Sequence, residues 1–311
     1  MNDLVMPDDF TELRPLLFSI AYRMLGSVSD AEDVVQDAYL RYHGALQGGT
    51  VIESPKAYLS AVTTRLAIDL LRSARVRRET YVGQWLPEPL LTDSTAPDPA
   101  EQSADSDSLS MAFLLVLERL NPLERAVFLL HDVFGYEFTD IAAIVDKSAD
   151  NCRQVAVRAR RHVAEHRPRF DASRQKREQL ADRFVGAFAE GDIDGLVELL
   201  AHDVVVTGDS GGARPSWPQP IVGRENVARL LAGVAAQMHQ VPGVWLARVE
   251  VNGQPGAVVR DGDGQLVNVF SFDIVDGVVH AIRSVIARDK LRHLAPLADV
   301  PALLAERRDP H

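Results

Sequence analysis

Between Phe138 and Val163 the apolar positions recur with the period of a helix, stop, and recur again. Ile141, Ala142, Ile144 and Val145 form the buried face of a first short helix. Cys152, Ala156, Ala159 and Val163, at i, i+4, i+7 and i+11, form a stripe on a second. Asp146 and Lys147 supply the turn. Ser148 is the expected N-cap, because its hydroxyl accepts from an orphan amide at a helix start. The remaining faces of the second helix carry Asn151, Arg153, Gln154, Arg158, Arg160 and Arg161. A helix that is small and apolar inside, with Arg and Gln outside, suits a major groove, where these side chains bond guanine and adenine edges and hold phosphates. The same pattern also describes an ordinary helical hairpin with a solvated arginine face, and on this stretch alone both readings stand.

Before the hairpin, residues 10–26 read as an amphipathic helix ending near Gly26, and Ser29 is the expected cap of the next. That second helix places Asp30, Glu32, Asp33 and Asp37 in its first turns, where the helix dipole favours them, and Ala31, Val34, Val35, Ala38 and Tyr39 inward. Its acidic cluster is either simple capping or a docking face for a basic partner. A long helix starts at Pro55, with Leu59, Val62, Leu66 and Leu70 as its predicted core stripe and a basic run at its end. Residues 81–108 are rich in Pro, Ser and Asp and read as a linker. Trp85-Leu86-Pro87-Glu88-Pro89 is too apolar and stiff for a free tether, and is expected to dock. Residues 109–170 hold four helical segments, the last two being the hairpin.

From Ser173 the pattern changes. Helices over 173–192 (Leu180, Phe184 and Phe188 inside), 193–203 and 223–237 precede period-2 segments separated by Asn252-Gly253, Asp263-Gly264 and Asp276-Gly277, which are hairpin turns. Together with a strand at 203–209 this predicts an α+β domain with a curved sheet folded around a hydrophobic cavity. Residues 292–311 read as a loosely held tail. The predicted organisation is therefore 1–80, a linker over 81–108, 109–170, 171–291 and a tail over 292–311, in a multidomain chain with two all-α domains ahead of an α+β domain.

Composition narrows the function. The 311 residues are 46% hydrophobic and 25% charged, ordinary for a folded soluble protein. One cysteine, Cys152, excludes an internal disulfide and a Cys-rich zinc site; no metal site and no cofactor are expected. No signal peptide is visible, and the uncharged run Leu230 to Ala247 is broken by Gln237, His239, Gln240 and Pro242, so no membrane contact and a cytoplasmic location are expected. The net charge of −11 argues against a protein that coats nucleic acid unaided. Its distribution says more: residues 81–108 hold six acids and no base, while 65–78 carry Arg65, Arg72, Arg75, Arg77 and Arg78 against Asp69, and 147–169 carry seven bases against Asp150 and Glu165. Two basic patches flank an acidic linker. That suits a protein that touches DNA at two places while something larger supplies most of the affinity.

The first 166 residues resemble an extracytoplasmic-function (ECF) sigma factor of the sigma-70 family. Asp30 through Asp37 match its acidic core-binding helix. Pro55-Lys56-Ala57-Tyr58-Leu59 through Asp69-Leu70-Leu71-Arg72 match its promoter-melting, −10-reading helix. Leu120 through Leu130 and the hairpin match its −35-reading domain. The resemblance implies binding to the RNA polymerase core (beta and beta-prime subunits) through Asp30, Glu32, Asp33, Gln36 and Asp37. It implies −10 contacts from Lys56, Tyr58, Arg65, Arg72, Arg75, Arg77 and Arg78, and promoter −35 contacts from Arg153, Gln154, Arg158, Arg160 and Arg161. The family more often has Gly at Asp146, Trp at Tyr58 and a base at Val155.

Residues 174–290 resemble a SnoaL-like domain of the nuclear-transport-factor-2-like superfamily, through Phe188-Ala189-Glu190-Gly191-Asp192, Leu199 to Val204 and Ile221 to Glu225. A subgroup of ECF sigma factors carries such an extension, with a WLPEP motif (here Trp85, Pro87, Glu88 and Pro89 around Leu86), a DGGGK-type loop (Asp209-Ser210-Gly211-Gly212-Ala213-Arg214) and an NPDKL-type segment (Ala287-Arg288-Asp289-Lys290-Leu291). The resemblance implies regulation in cis, with no separate anti-sigma factor required. Two alternatives for the extension stay open: a sensor with a small ligand in the cavity, or a cyclase- or isomerase-like enzyme using His202, Asp203, Asp209, Asp273 or His280.

Overall fold

A computed structural model describes residues 8–79, 81, 83–92, 106–166, 174–212, 219–294 and 296–306. The chain forms two compact units, Met1–Glu79 with Ala96–Leu109 and Phe113–Arg167, and Thr80–Thr95 with Ser110–Ala112 and Pro168–His311. The chain thus leaves the first unit after Glu79, enters the second for the linker, and returns.

In the first unit, α1 (Asp8–Leu25), α2 (Val28–Gln47) and α3 (Pro55–Glu79) pack on one another around Phe10, Leu17, Ile20, Tyr22, Ala38 and Leu59. The Phe10 and Tyr39 rings lie 4.8 Å apart. The cap of α2 is Ser27, whose hydroxyl accepts from the Asp30 amide at 3.1 Å, so the helix starts before Ser29, the predicted cap. The buried face of α3 is also rotated from the predicted stripe. Leu59, Thr63, Thr64, Ala67, Ile68 and Leu71 are buried, while Val62, Leu66 and Leu70 are half-buried. Threonines at the inner face hid it from a reading of apolar spacing alone.

The second half of this unit contains α4 (Met111–Leu117), α5 (Pro122–Phe128), a π-helical turn over Leu129–Val133, α6 (Phe138–Val145) and α7 (Ala149–Ala164). α5 starts in a capping box: Asn121 accepts from the Glu124 amide at 2.9 Å and the Glu124 carboxylate accepts from the Asn121 amide. Such a cap contributes ~1 kcal/mol. Between α6 and α7, Asp146 stands in the left-handed region (φ 52°, ψ 55°), which Asp tolerates where glycine would otherwise serve, and Ser148 caps α7 by accepting from Asn151.

In the second unit, helices α8 (Arg174–Glu190), α9 (Ile193–Leu199) and α10 (Arg224–His239) cover one face of a seven-stranded sheet. The strands are β1 (Leu91–Thr92), β2 (Leu200–Asp209), β3 (Ile221–Val222), β4 (Trp245–Val251), β5 (Gln254–Arg260), β6 (Leu266–Val275) and β7 (Val278–Val285), in the order β1-β4-β5-β6-β7-β2-β3. All neighbours are antiparallel except β2 and β7. Period 2 accounts for the sheet: Phe270, Phe272 and Ile274 of β6 point to the helices, where Phe184 and Phe188 meet Phe272 and Phe270 edge-on at 5.0 and 5.7 Å.

Three details depart from expectation. β1 comes from the linker. α9 ends at Leu199, and Leu200 to Asp203, read as helix, open β2. The tail is seated rather than loose as far as it is described. Leu297 bridges Leu266, the Leu266 amide donates to Pro296 O at 2.9 Å, and α12 (Val300–Glu306) follows a short α11 (Arg288–Leu291). Backbone pairing does this, and hydropathy carries no trace of it.

Candidate nucleic-acid interface and linker clasp

On α7 the buried side is Cys152, Val155, Ala156, Ala159 and Val163. Asn151, Arg153, Gln154, Val157, Arg158, Arg160 and Arg161 are exposed. Val155 is thus a core residue, and its apolar character takes nothing from the outer face. Arg153 is ion-paired with Asp150, one turn back, and its guanidinium lies 5.6 Å from the Phe138 ring centroid. Arg160 bonds Asp132 at 2.7 Å and Arg158 lies 3.9 Å from Glu124, so both also brace the hairpin against the preceding helices. Burial raises the Cys152 thiol pKa.

The candidate −10 helix is not free along its length. Arg65 donates to the carbonyls of Ile144 and Ala143 at 2.8 and 2.7 Å, capping the C-terminus of α6. Ser60 Oγ and Tyr136 Oη lie 2.7 Å apart, and Lys56 Nζ sits 5.8 Å from the Tyr136 ring centroid. Buried Arg125 donates to Met24 O at 2.6 Å and pairs with Glu118 at 2.8 Å. Arg65 was expected to hold DNA phosphates, and here its guanidinium is occupied by protein carbonyls. Tyr58 is half-buried, its ring 6.0 Å from that of Tyr42. Arg72 is exposed beside Asp69 at 3.1 Å. The side chains of Arg75, Arg77 and Arg78 lie outside the described residues.

On α2, Asp33, Gln36, Asp37 and Leu40, at i, i+3, i+4 and i+7, form one exposed stripe. Leu40 is 52% exposed, an apolar residue set among acids. Glu32 pairs with Arg14, and Asp30 lies in the capped first turn.

The linker residues converge in the second unit on a single buried charge pair. Lys290 Nζ lies 2.5 Å from Asp209 Oδ2 and donates to Leu86 O at 2.6 Å. It sits 4.8 and 4.5 Å from the Tyr81 and Trp85 ring centroids. Asp209 Oδ2 accepts from the Leu86 amide at 2.8 Å, and Oδ1 from Tyr81 Oη at 2.6 Å and the Gly211 amide at 3.0 Å. Burial lowers the Lys290 pKa, opposed by Asp209. Burial and the bond to Asp209 raise that of Tyr81. Gly211 (φ 63°) and Gly212 (φ 81°) turn the loop, and a Cβ at Gly211 would meet Ala287 Cβ at 3.4 Å and Asp289 Oδ1 at 3.5 Å. Arg214 lies outside the described residues.

Further along, His293 Nε2 donates to Pro89 O at 2.8 Å, and His293 Nδ1 lies 4.0 Å from buried Glu88. Pro87 is buried with its neighbours. The Asn252 amide donates to Leu90 O at 2.8 Å, and the Leu90 amide to Asn252 Oδ1 at 3.0 Å. Leu91 and Thr92 then pair with Val251 and Glu250 as the edge strand β1. The linker contacts of Tyr81, Thr92, Asn252 and His293 were not foreseen from sequence, because each is made with a partner 128 or more residues away. The acid–base candidates are not gathered into one site, and only Asp203 and His280 approach each other. Asp273 is bonded twice to Arg283 at 2.6 Å, and exposed Asp203 lies 4.0 Å from His280. His202 is exposed.

The family models that match are Sigma-70 region 2 over residues 10–77, Sigma-70, region 4 over 110–163, and a SnoaL-like domain over 181–277. The ECF RNA polymerase sigma factor SigJ of Mycobacterium tuberculosis is 37% identical over 291 residues, 91% of this chain and 92% of that protein. The chain belongs to the ECF sigma factor family. Among other members, the probable ECF RNA polymerase sigma factor SigI of the same organism is 36% identical over 60% of this chain and 64% of its own length. The crystal structure of SigJ is similar to this sigma factor with a TM-score of 0.73 and 34% identity, covering 93% of this chain and 99% of that one.

Proposed function

We propose that this sigma factor joins the core of RNA polymerase and directs initiation at promoters chosen by their −10 and −35 elements, and that its SnoaL-like extension controls it in cis. The observation that carries the proposal is the likeness along nine-tenths of the chain to an ECF RNA polymerase sigma factor. The arginine face of α7 supports −35 reading by Arg153 and Gln154, with Arg158, Arg160 and Arg161 near phosphates. The basic end of α3 supports −10 contacts, and the stripe Asp33, Gln36, Asp37 and Leu40 supports docking on the polymerase. A chain of net charge −11 gains its DNA affinity from that larger partner.

The closed arrangement of α3 on α6 makes promoter binding conditional, because Arg65 must leave the α6 carbonyls before it meets a phosphate. The connection between the two DNA-reading halves runs through the clasp at Asp209 and Lys290. The extension thereby biases the relative placement of the halves, with no separate anti-sigma factor required. The site of action is the cytoplasm, where the polymerase is; among the described residues no helix is long and apolar enough to cross a membrane. The test is permanganate reactivity of thymines in the −10 element. We expect it only when core polymerase and this chain are both present. Equal reactivity with core polymerase alone would overturn the reading.

A further inference from the structure

A cavity of about 400 Å³ opens in the second unit between the sheet and α10, within the range of pockets that bury small-molecule ligands. Leu230, Val234 and Met238 of α10, Phe270 of β6, and Val300 and Leu303 of α12 make it apolar. Its polar features are few. On the sheet side Asn268 Nδ2 donates to Ser284 Oγ at 2.9 Å and Ser284 Oγ donates to Asn268 Oδ1 at 3.2 Å, a neutral pair. Arg229 and Gln237 are exposed on α10 at the mouth. Asp209 reaches the wall, but its carboxylate is already shared among Lys290, Tyr81 and two backbone amides. Among the described residues that line it, no unspent charge faces the interior, so a charged ligand would be desolvated without compensation.

Gly233 adds an independent pointer. It lies in the interior of α10, where glycine costs ~1 kcal/mol relative to alanine. A Cβ there would meet nothing within 4 Å, so no neighbour in the protein demands a glycine. Its bare backbone widens the mouth that it lines.

We propose that this cavity binds a neutral, largely hydrocarbon small molecule carrying one hydrogen-bonding group, an alcohol or ketone, directed at Asn268 and Ser284, and that occupancy alters the hold on the linker. The coupling is structural. Gly208, Asp209 and Ser210 line the cavity, and the Asp209 carbonyl accepts from the Ile286 and Ala287 amides at 2.8 and 3.1 Å. α11, which carries Lys290, follows directly. Arg288 of α11 donates to Ala298 O at the foot of α12, so α12 and the clasp are joined. This inference rests on the reading of the extension as a regulator in cis.

The test uses the full chain and the neutral fluorescent probe N-phenyl-1-naphthylamine. Wild type should bind it saturably at one site. Gly233→Phe should weaken binding at least tenfold while Gly233→Ala stays within threefold, with the melting temperature of both at or above wild type. At saturation the probe should change the rate of proteolysis within residues 81–92 at least threefold in wild type. No saturable binding, or equal binding by Gly233→Phe, overturns the site. An unchanged cleavage rate overturns the coupling. Initiation by wild type with core polymerase is measured alongside. Its absence would remove the sigma factor reading, whereas loss of probe binding with initiation intact removes only this inference.

Discussion

At the scale of single residues, the Asp209–Lys290 pair concentrates the account. Both side chains are buried, and removing one partner of such a pair costs roughly 3–5 kcal/mol because the other is left uncompensated. Lys290→Met should therefore free the linker: we expect protease cleavage within residues 81–92 to speed up at least tenfold, read by mass spectrometry of timed digests. Cleavage at the wild-type rate would return the pair to a local role. Tyr81 supplies a pH signature. Its pKa in the fold lies above its ordinary value of 10.0, so the folded state holds a proton that the unfolded chain gives up above that value. The stabilisation is present below pH 10 and is lost as pH rises beyond it. Tyr81→Phe should flatten that alkaline loss in thermal melts between pH 9 and 11. The two ends of the clasp were legible in the sequence because Asp209 and Lys290 sit in short motifs. Tyr81 was not, since one aromatic in a linker has no periodic context. For Arg65 the sequence leaves two kinds of partner open, because the chemistry that suits a phosphate also suits the carbonyls at the end of α6.

Among elements, the hairpin was the clearest. Asp146 and Ser148 announced its turn, and four small apolar residues fixed which side of α7 faces outward. The proposed roles of its exposed residues separate specificity from anchorage. Arg153→Ala should lower initiation at the cognate −35 element by roughly five- to a hundredfold, the 1–3 kcal/mol of a bidentate base contact, and leave promoters altered at that base little affected. Arg161→Ala should weaken all promoters alike, and a run-off panel of −35 variants tells the two apart. On α2, Asp33→Lys with Asp37→Lys should reduce affinity for core polymerase at least tenfold in a co-sedimentation assay. Unchanged binding would make the acids ordinary helix-dipole partners. The linker strand β1 and the seated α12 were illegible. A two-residue strand has no period, and the bridge of Leu297 to Leu266 rests on backbone groups that every residue carries.

For the molecule as a whole, composition and charge blocks foretold more than local patterns did. The acidic stretch between two basic patches marked a chain of separate helical segments joined by a linker. Helices followed by hairpin turns marked an α+β extension around a cavity. The Trp85–Pro89 segment was expected to dock; hidden from view was that Leu91 and Thr92 add a strand to the extension's sheet, because this pairing joins residues more than a hundred positions apart. The central claim is that this chain confers promoter-specific initiation on core polymerase and that the extension governs it. Multiple-round run-off transcription on promoters selected from a random library tests it most directly, comparing the full chain with one ending at Phe170. Discrete transcripts that need both core polymerase and the sigma chain are expected, with at least a threefold difference in yield between the two forms. Binding of the chain to DNA without polymerase, with no specific transcript from either form, would contradict it.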